Sequence, residues 1–387
     1  MTSRRLSAVI GMVLWVCAAL PALAADRIIT IAYLDRAGDP YYQPVRGYEG
    51  IAPVAREPAI SGAALAVKDA KILQRALQAK FELVHRTLQD GETVEAALSD
   101  LTARGAVAAV LDLPEAEVEA AARAGMIALF NIRHTGSALR ARTCNTRLFH
   151  VIPSDPMYAD ALAQFLRAAG WMEVLVLASA APDDQRNAAA FAASAAKFGL
   201  TISGSRQFVE GNDPRQREMN NIKLLTGGVS YDAVYIADAA RDFARTVPYN
   251  TLLARPVAGA AGLRPLAWHS LWERQGAPQL NRRFWKLAGR AMTEQDWAAW
   301  VAVKAAIAAK VKSAAAVDVT LQQPDFAVEL YKGFPGSFRP WDHQLRQAML
   351  LATETAVSGL APVEGALHQF NTLDTLGLDE PEFACAQ

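Results

Sequence analysis

Cysteine is scarce in this chain, with three in 387 residues, and the six histidines are scattered. No Cys-x-x-Cys and no His-x-x-x-His pair occurs, so the usual ligand spacings of a zinc site are missing. No Gly-x-Ser-x-Gly turn is present to raise a serine nucleophile, which disfavours a hydrolase on an α/β scaffold. No Gly-x-Gly-x-x-Gly follows an apolar run, so a dinucleotide cofactor is not expected, nor is any other cofactor. Net charge is lacking too. The 39 Lys and Arg balance 39 Asp and Glu, and nothing in that balance attracts nucleic acid or an anionic membrane surface.

What is present begins with an export signal. Residues 1–24 carry Arg4 and Arg5, an apolar core over 6–20, a helix-ending Pro21, and Ala22-Leu23-Ala24 as an A-x-A cleavage site. The apolar core is shorter than the ~20 residues a spanning helix needs, so no membrane insertion is expected after cleavage. Leu14-Trp15-Val16 lacks the small residue that lipid modification at Cys17 requires, and Leu6-Ser7-Ala8 matches a twin-arginine signal poorly. Cleavage removes two arginines and no acid, for a mature net charge near −2. It also leaves Cys144 and Cys385, an even pair that either forms a disulfide in an oxidising compartment or stays as two buried thiols.

Along the chain, apolar strand-like runs alternate with helical periodicity. Strands are expected at 27–34, 81–87, 107–111 and 126–130, with helices at 57–77, 92–104 and 114–124 between them. A crossover at 147–179 follows. Pro153-Ser154-Asp155-Pro156 starts its helix, Gly170 ends it, and Val174 to Leu177 form a buried strand. The alternation resumes with helix 184–198, strand 200–208, helix 214–225, strand 231–237, a short helix at 242–247 and a sixth strand at 266–269. These patterns predict an α/β fold of two lobes with parallel sheets. Residues 280–312 read as helix with a Trp and Ala stripe suited to core packing, and 326–352 as a closing β-hairpin.

The order of these parts resembles the type I periplasmic solute-binding proteins of ABC transporters, and more narrowly the branched-chain-amino-acid-binding type. The residues that carry the resemblance are Gly62-Ala63-Ala64-Leu65-Ala66-Val67, Leu148-Phe149-His150-Val151-Ile152-Pro153-Ser154-Asp155, Trp297-Ala298-Ala299-Trp300-Val301-Ala302-Val303-Lys304, and the hairpin 337–347. That hairpin, with the tail Asn371-Thr372-Leu373-Asp374-Thr375-Leu376-Gly377 and Asp379-Glu380-Pro381-Glu382, is also similar to a subgroup associated with pyrroloquinoline-quinone (PQQ)-dependent alcohol dehydrogenase systems.

The resemblance implies a non-enzymatic periplasmic protein, with lobe 1 at 25–146 plus about 269–318, lobe 2 at 147–268 plus about 319–358, and a tail at 359–387. Hinge crossings would lie near 146, 268 and 318. A small-molecule or ion ligand would be trapped between the lobes and presented to an ABC transporter permease. The implied ligand wall is the set of loops at strand ends. Asp112, Asn131, Arg133 and His134 stand where relatives have a Ser- and Thr-bearing loop for the ligand carboxylate. Asp238 would meet an amino group, and Arg133 and Asp238 would face each other, binding ligand or latching the lobes. Asp183 and Asp184 either reach the cleft or cap a helix. Tyr41, Tyr42 and Trp268, with His269, suit a flat ligand or ordinary rim packing. Two other readings fit the same lobes: a periplasmic sensor or accessory protein, and a calcium- or lanthanide-binding protein using Asp374, Asp379, Glu380 and Glu382 of the tail.

Overall fold

The computed structural model describes residues 27–43, 56–211 and 214–386; the expected leader at 1–24 lies outside them. The first unit runs β1 (Arg27–Arg36), α1 (Ile60–Asp69), α2 (Lys71–Leu77), β2 (Ala79–Leu88), α3 (Val94–Ala103), β3 (Ala106–Asp112), α4 (Glu115–Ala124), β4 (Ala128–Asn131), α5 (Ser137–Thr143) and β5 (Leu148–His150). Its five strands are parallel in the order β2-β1-β3-β4-β5. The single helix expected over 57–77 is two, because the chain turns at Ala70, whose N–H is shared between the Ala66 and Val67 carbonyls.

Ser154 caps α6 (Asp155–Ala168) by accepting from the Met157 N–H, with Pro156 in the first turn where its missing N–H costs nothing. The second unit continues through β6 (Glu173–Ala178), α7 (Pro182–Lys197), β7 (Thr201–Gln207), α8 (Ile222–Leu225), β8 (Ala233–Ala237) and β9 (Val257–Gly259). Its parallel sheet has the order β7-β6-β8-β9. Of the helix expected at 214–225 only the last turn is α-helical; Pro214–Asn220 is a 3₁₀ helix. Strand β9 lies in the Gly- and Pro-marked run that sequence patterning leaves as a connection. Gly259 (φ +101°) permits the pairing, since a Cβ there would sit 2.3 Å from the Ile236 carbonyl oxygen.

The chain then forms β10 (Arg264–Leu266), α9 (Ala277–Ala288), α10 (Glu294–Lys312), α11 (Val317–Leu321), β11 (Val328–Glu329), β12 (Pro335–Phe338), β13 (Leu345–Arg346), β14 (Met349–Ala352) and β15 (Val357–Ala361). The strand expected at 266–269 is β10, shifted towards the N-terminus, and it leaves the parallel sheet to pair antiparallel with β14. Gly289 in the left-handed region and a Thr293–Asp296 capping box divide the helix expected over 280–312 into α9 and α10. In place of one closing hairpin stand two antiparallel sheets, β11-β12-β13 and β10-β14-β15.

Each parallel sheet carries an apolar cluster on either face, and the larger cluster of each unit, its main core, bears on the site. The first gathers α1, α10 and Trp268, whose ring stacks on Trp297 with centroids 5.9 Å apart. The second gathers α6, α7, β6 and β8, with Phe191 stacked on Tyr235. Of residues 319–358, Val328, Leu330, Phe338 and Leu345 pack into the first core, and β14 alternates, with Leu350 and Ala352 in the first and Met349 and Leu351 in the second.

Gly62 sets the closest approach in the first core, since a Cβ there would stand 1.9 Å from the Asp296 carbonyl oxygen. Backbone cannot swing aside as a side chain can. Gly62→Ala is therefore expected to force α1 off α10 and cost about 1–3 kcal/mol, read from the urea midpoint; an unchanged midpoint would contradict this packing.

Candidate functional site

The two cores are joined by three stretches of chain. One leaves β5 and enters α6, one joins β10 to Trp268, and the third runs from β13 to β14. The third crossing was expected near 318, but Val317 and Leu321 of α11 pack in the first core, and the chain reaches the second only at Met349.

A buried lysine ties the three together. Lys332 Nζ donates to the Ala267 carbonyl (3.0 Å) and to Gln347 Oε1 (2.8 Å), while Gln347 Nε2 donates to the Val151 carbonyl (2.8 Å). Gln344 adds bonds to the His150 and Ile152 carbonyls. Burial over the Trp297 ring pushes the Lys332 amine well below its ordinary pKa.

Between the units lies a cleft of about 380 Å³. Arg56, Thr135 and Glu294 line it from the first unit. From the second come the start of α6 (Asp155, Tyr158), the first turns of α7 (Asp183, Arg186), the end of β8 with Asp238, and Arg241 and Arg264. Its carboxylates are largely occupied. Arg186 pairs with Asp155 and Asp183, both at 2.7 Å. Asp238 accepts the Arg241 and Ala244 N–H groups, one on each oxygen. Glu294 Oε2 accepts Tyr158 Oη–H (2.9 Å) and the Ala267 N–H (2.5 Å), and burial pushes its pKa up.

Of the ligand residues expected from sequence, Asp183 and Asp238 line this cleft. The others lie elsewhere. Arg133 does not face Asp238: it pairs with Asp39 at 2.6 Å and lies 3.7 Å from Asp112. Asp112 accepts hydroxyls from Tyr33 (2.6 Å) and Tyr42, and burial pushes its carboxyl up. Tyr41 is covered by Arg133 (3.9 Å) and Arg56 (4.5 Å), each guanidinium over its ring. Asn131 fixes its own loop by accepting the Arg133 and His134 N–H groups, and His134 bonds the Leu113 carbonyl. Trp268 is a core residue whose Nε1–H meets Asn281, and His269 accepts the Leu271 N–H. Asp184 is no cap; it accepts Ser179 Oγ–H and the Ala239 N–H.

The tail carboxylates do not converge. Asp374 pairs with Arg339 and Arg346, whereas Asp379 and Glu382 cap a 3₁₀ turn. Among the described residues one trio, Asp184, Glu210 and Asp238, brings ligand atoms within 4.8 Å of one another, but Asp184 and Asp238 already spend their oxygens on hydrogen bonds. Cys144 and Cys385 are joined by a disulfide. No helix among the described residues is long and apolar enough to cross a membrane.

The fold is that of type I periplasmic binding proteins. A branched-chain amino acid ABC transporter periplasmic ligand-binding protein from Burkholderia xenovorans matches with a TM-score of 0.65 at 14% identity, over 86% of this chain and 95% of its own. An ABC transporter substrate-binding protein from Desulfitobacterium hafniense, solved in complex with Leu, has a TM-score of 0.60 at 17% identity over 86% of this chain and 99% of its own. A solute-binding protein from R. palustris, solved with benzoate, has a TM-score of 0.59 at 13% identity over 86% and 96%. No family model and no curated protein sequence matches the chain.

Arg241, Arg264, Tyr158 and Glu294 escaped sequence reasoning. Arg241 follows the strand end at Asp238 closely enough to have been suspected. Arg264 carried no signal, because its place depends on β10 leaving the parallel sheet for β14.

Proposed function

We propose that this chain is a periplasmic solute-binding protein that closes its two lobes on a small molecule and presents it to an ABC importer permease, without catalysis. The observation that carries this is the cleft lined from both units at a junction of three chain crossings, the arrangement a hinge requires. A cleft of about 380 Å³ is of the size that encloses small ligands. The lobes of this reading divide near 152, 266 and 348, with Leu266, Leu350 and Ala352 packing back into the first core. The association with quinone-dependent alcohol oxidation is supported by the sequences of 337–347 and 371–382 alone; none of those residues lines the cleft.

The test is a thermal-shift series on the exported chain with amino acids, short alcohols and their acids, PQQ, and calcium with lanthanide ions. A bound solute at 100 times its Kd is expected to stabilise by about 2.7 kcal/mol, and X-ray scattering should show the radius of gyration fall as the lobes close. A cooperatively folding sample that neither shifts nor contracts with any group would point instead to the accessory-protein reading.

A further inference from the structure

Four arginines and four carboxylates line the cleft, but they do not cancel. Arg186 is committed to Asp155 and Asp183, Asp238 is satisfied by backbone N–H groups, and Glu294 Oε2 is shared by Tyr158 and Ala267. Arg56 lies over the Tyr41 ring at the first unit's side, which leaves Arg241 and Arg264 on the second. Arg264 makes no hydrogen bond or ion pair among the described residues although it is half-buried. Among the described residues Arg241 donates Nε–H to the Ala260 carbonyl and forms an ion pair only with Glu354, 3.6 Å away and 80% exposed. Burial and then the Arg264 charge depress the Arg241 pKa, against the opposing charges of Glu354, Glu294 and Asp238, so the two guanidiniums share one field.

The backbone holds this arrangement at a cost. Arg241 has φ +57°, a left-handed conformation unfavourable for a side-chain-bearing residue, fixed by its N–H bond to Asp238. Two like charges held half-buried in one field, with an exposed Glu354 at 3.6 Å from Arg241 and the buried Glu294 as the acids nearest to them, are incompletely compensated, and a carboxylate between them would relieve both through paired N–H···O bonds. The wall beside them is apolar, with Leu162, Tyr235, Pro265 and Leu266.

We infer that the cleft takes an organic anion, a small carboxylate with an apolar body, gripped by Arg241 and Arg264 of the second lobe. This rests on the solute-binding reading above and narrows it. An α-amino acid is the less suitable ligand, because Asp155, Asp183 and Asp238 are already engaged, Glu294 is bonded by Tyr158 and Ala267 and lies in the field of Arg264, and the excess charge is cationic.

The experiment compares binding of benzoate, phenylacetate and 4-methylpentanoate by calorimetry with that of their amides and of leucine, on the exported chain and on Arg241→Gln, Arg264→Gln and Arg264→Lys. The acids are expected to bind, the amides and leucine at least about tenfold more weakly, and each Gln variant to lose about 10- to 100-fold for the acids, the worth of one or two charge-assisted hydrogen bonds. Arg264→Lys should fall between, keeping charge without the fork. The amide comparison uses the unmodified chain, so it holds even if a variant misfolds. Leucine or an amide binding as well as its acid would overturn the inference and leave the solute-binding reading standing, as would acids binding both Gln variants undiminished. Silence from every compound would overturn the inference alone, and the thermal-shift series with alcohols, PQQ and metal ions would then decide the solute-binding reading.

Discussion

Asp374→Ala is expected to lower the unfolding free energy by about 3–5 kcal/mol, the usual consequence of removing one partner from a buried ion pair. Asp374 receives Arg339 Nε–H at 2.8 Å and Arg346 Nε–H at 2.8 and 2.9 Å. Arg339 is 1% exposed, and its other donors go to the carbonyls of Leu373, Leu376 and Leu378. Without the carboxylate two guanidiniums share one buried space, with Asp342 at 3.9 Å from Arg339 as the remaining acid. Equilibrium urea unfolding measures the loss. Asp374→Asn, which keeps an acceptor, should lose less. A loss below about 1 kcal/mol would mean that the pair is hydrated rather than buried.

Cys385→Ser is expected to cost about 2–4 kcal/mol, since the bond to Cys144 closes a separation of 241 residues and restricts the unfolded chain. The tail it secures is also held by the second unit. Gly377 N–H donates to Asp160 (2.8 Å), Lys197 donates to the Gly377 carbonyl (3.0 Å), and Gln164 meets Thr375. Folded structure should therefore survive the substitution while the melting temperature falls. Reducing the unmodified protein should give the same melting temperature as the variant. A variant that melts with the oxidised protein, or free thiols at both Cys144 and Cys385 in a thiol titration of residues 25–387, would show that the bond does not form.

How far the sequence reached depended on whether local chemistry or distant partners decide. Strand β1, helix α6 and the α7–β8 alternation were legible because a cap, a stop and an apolar period lie within a few residues of one another: Ser154, Gly170 and Val174 to Leu177 in one stretch. The breaks at Ala70 and Gly289 were harder. Helical periodicity continues through both, and only packing against α10, with the Thr293 cap, shows where the helices end. The site was the least legible part. Asp238 was found from its place at a strand end, but Arg133 was assigned to the wrong partner, because the loop at Asp39 that claims it lies 94 residues away in the chain.

The sequence alone determined the α/β class, two parallel sheets and a possible cysteine pair, since each follows from patterns with short reach or from counting. The tertiary structure decided which charges remain unpaired. Whether a guanidinium is a structural partner or a free binding group depends on which carboxylates surround it, and Asp39 and Glu117 claim Arg133 and Arg36 while the return of β14 beside β10 sets Arg264 in the cleft with no hydrogen bond or ion pair among the described residues.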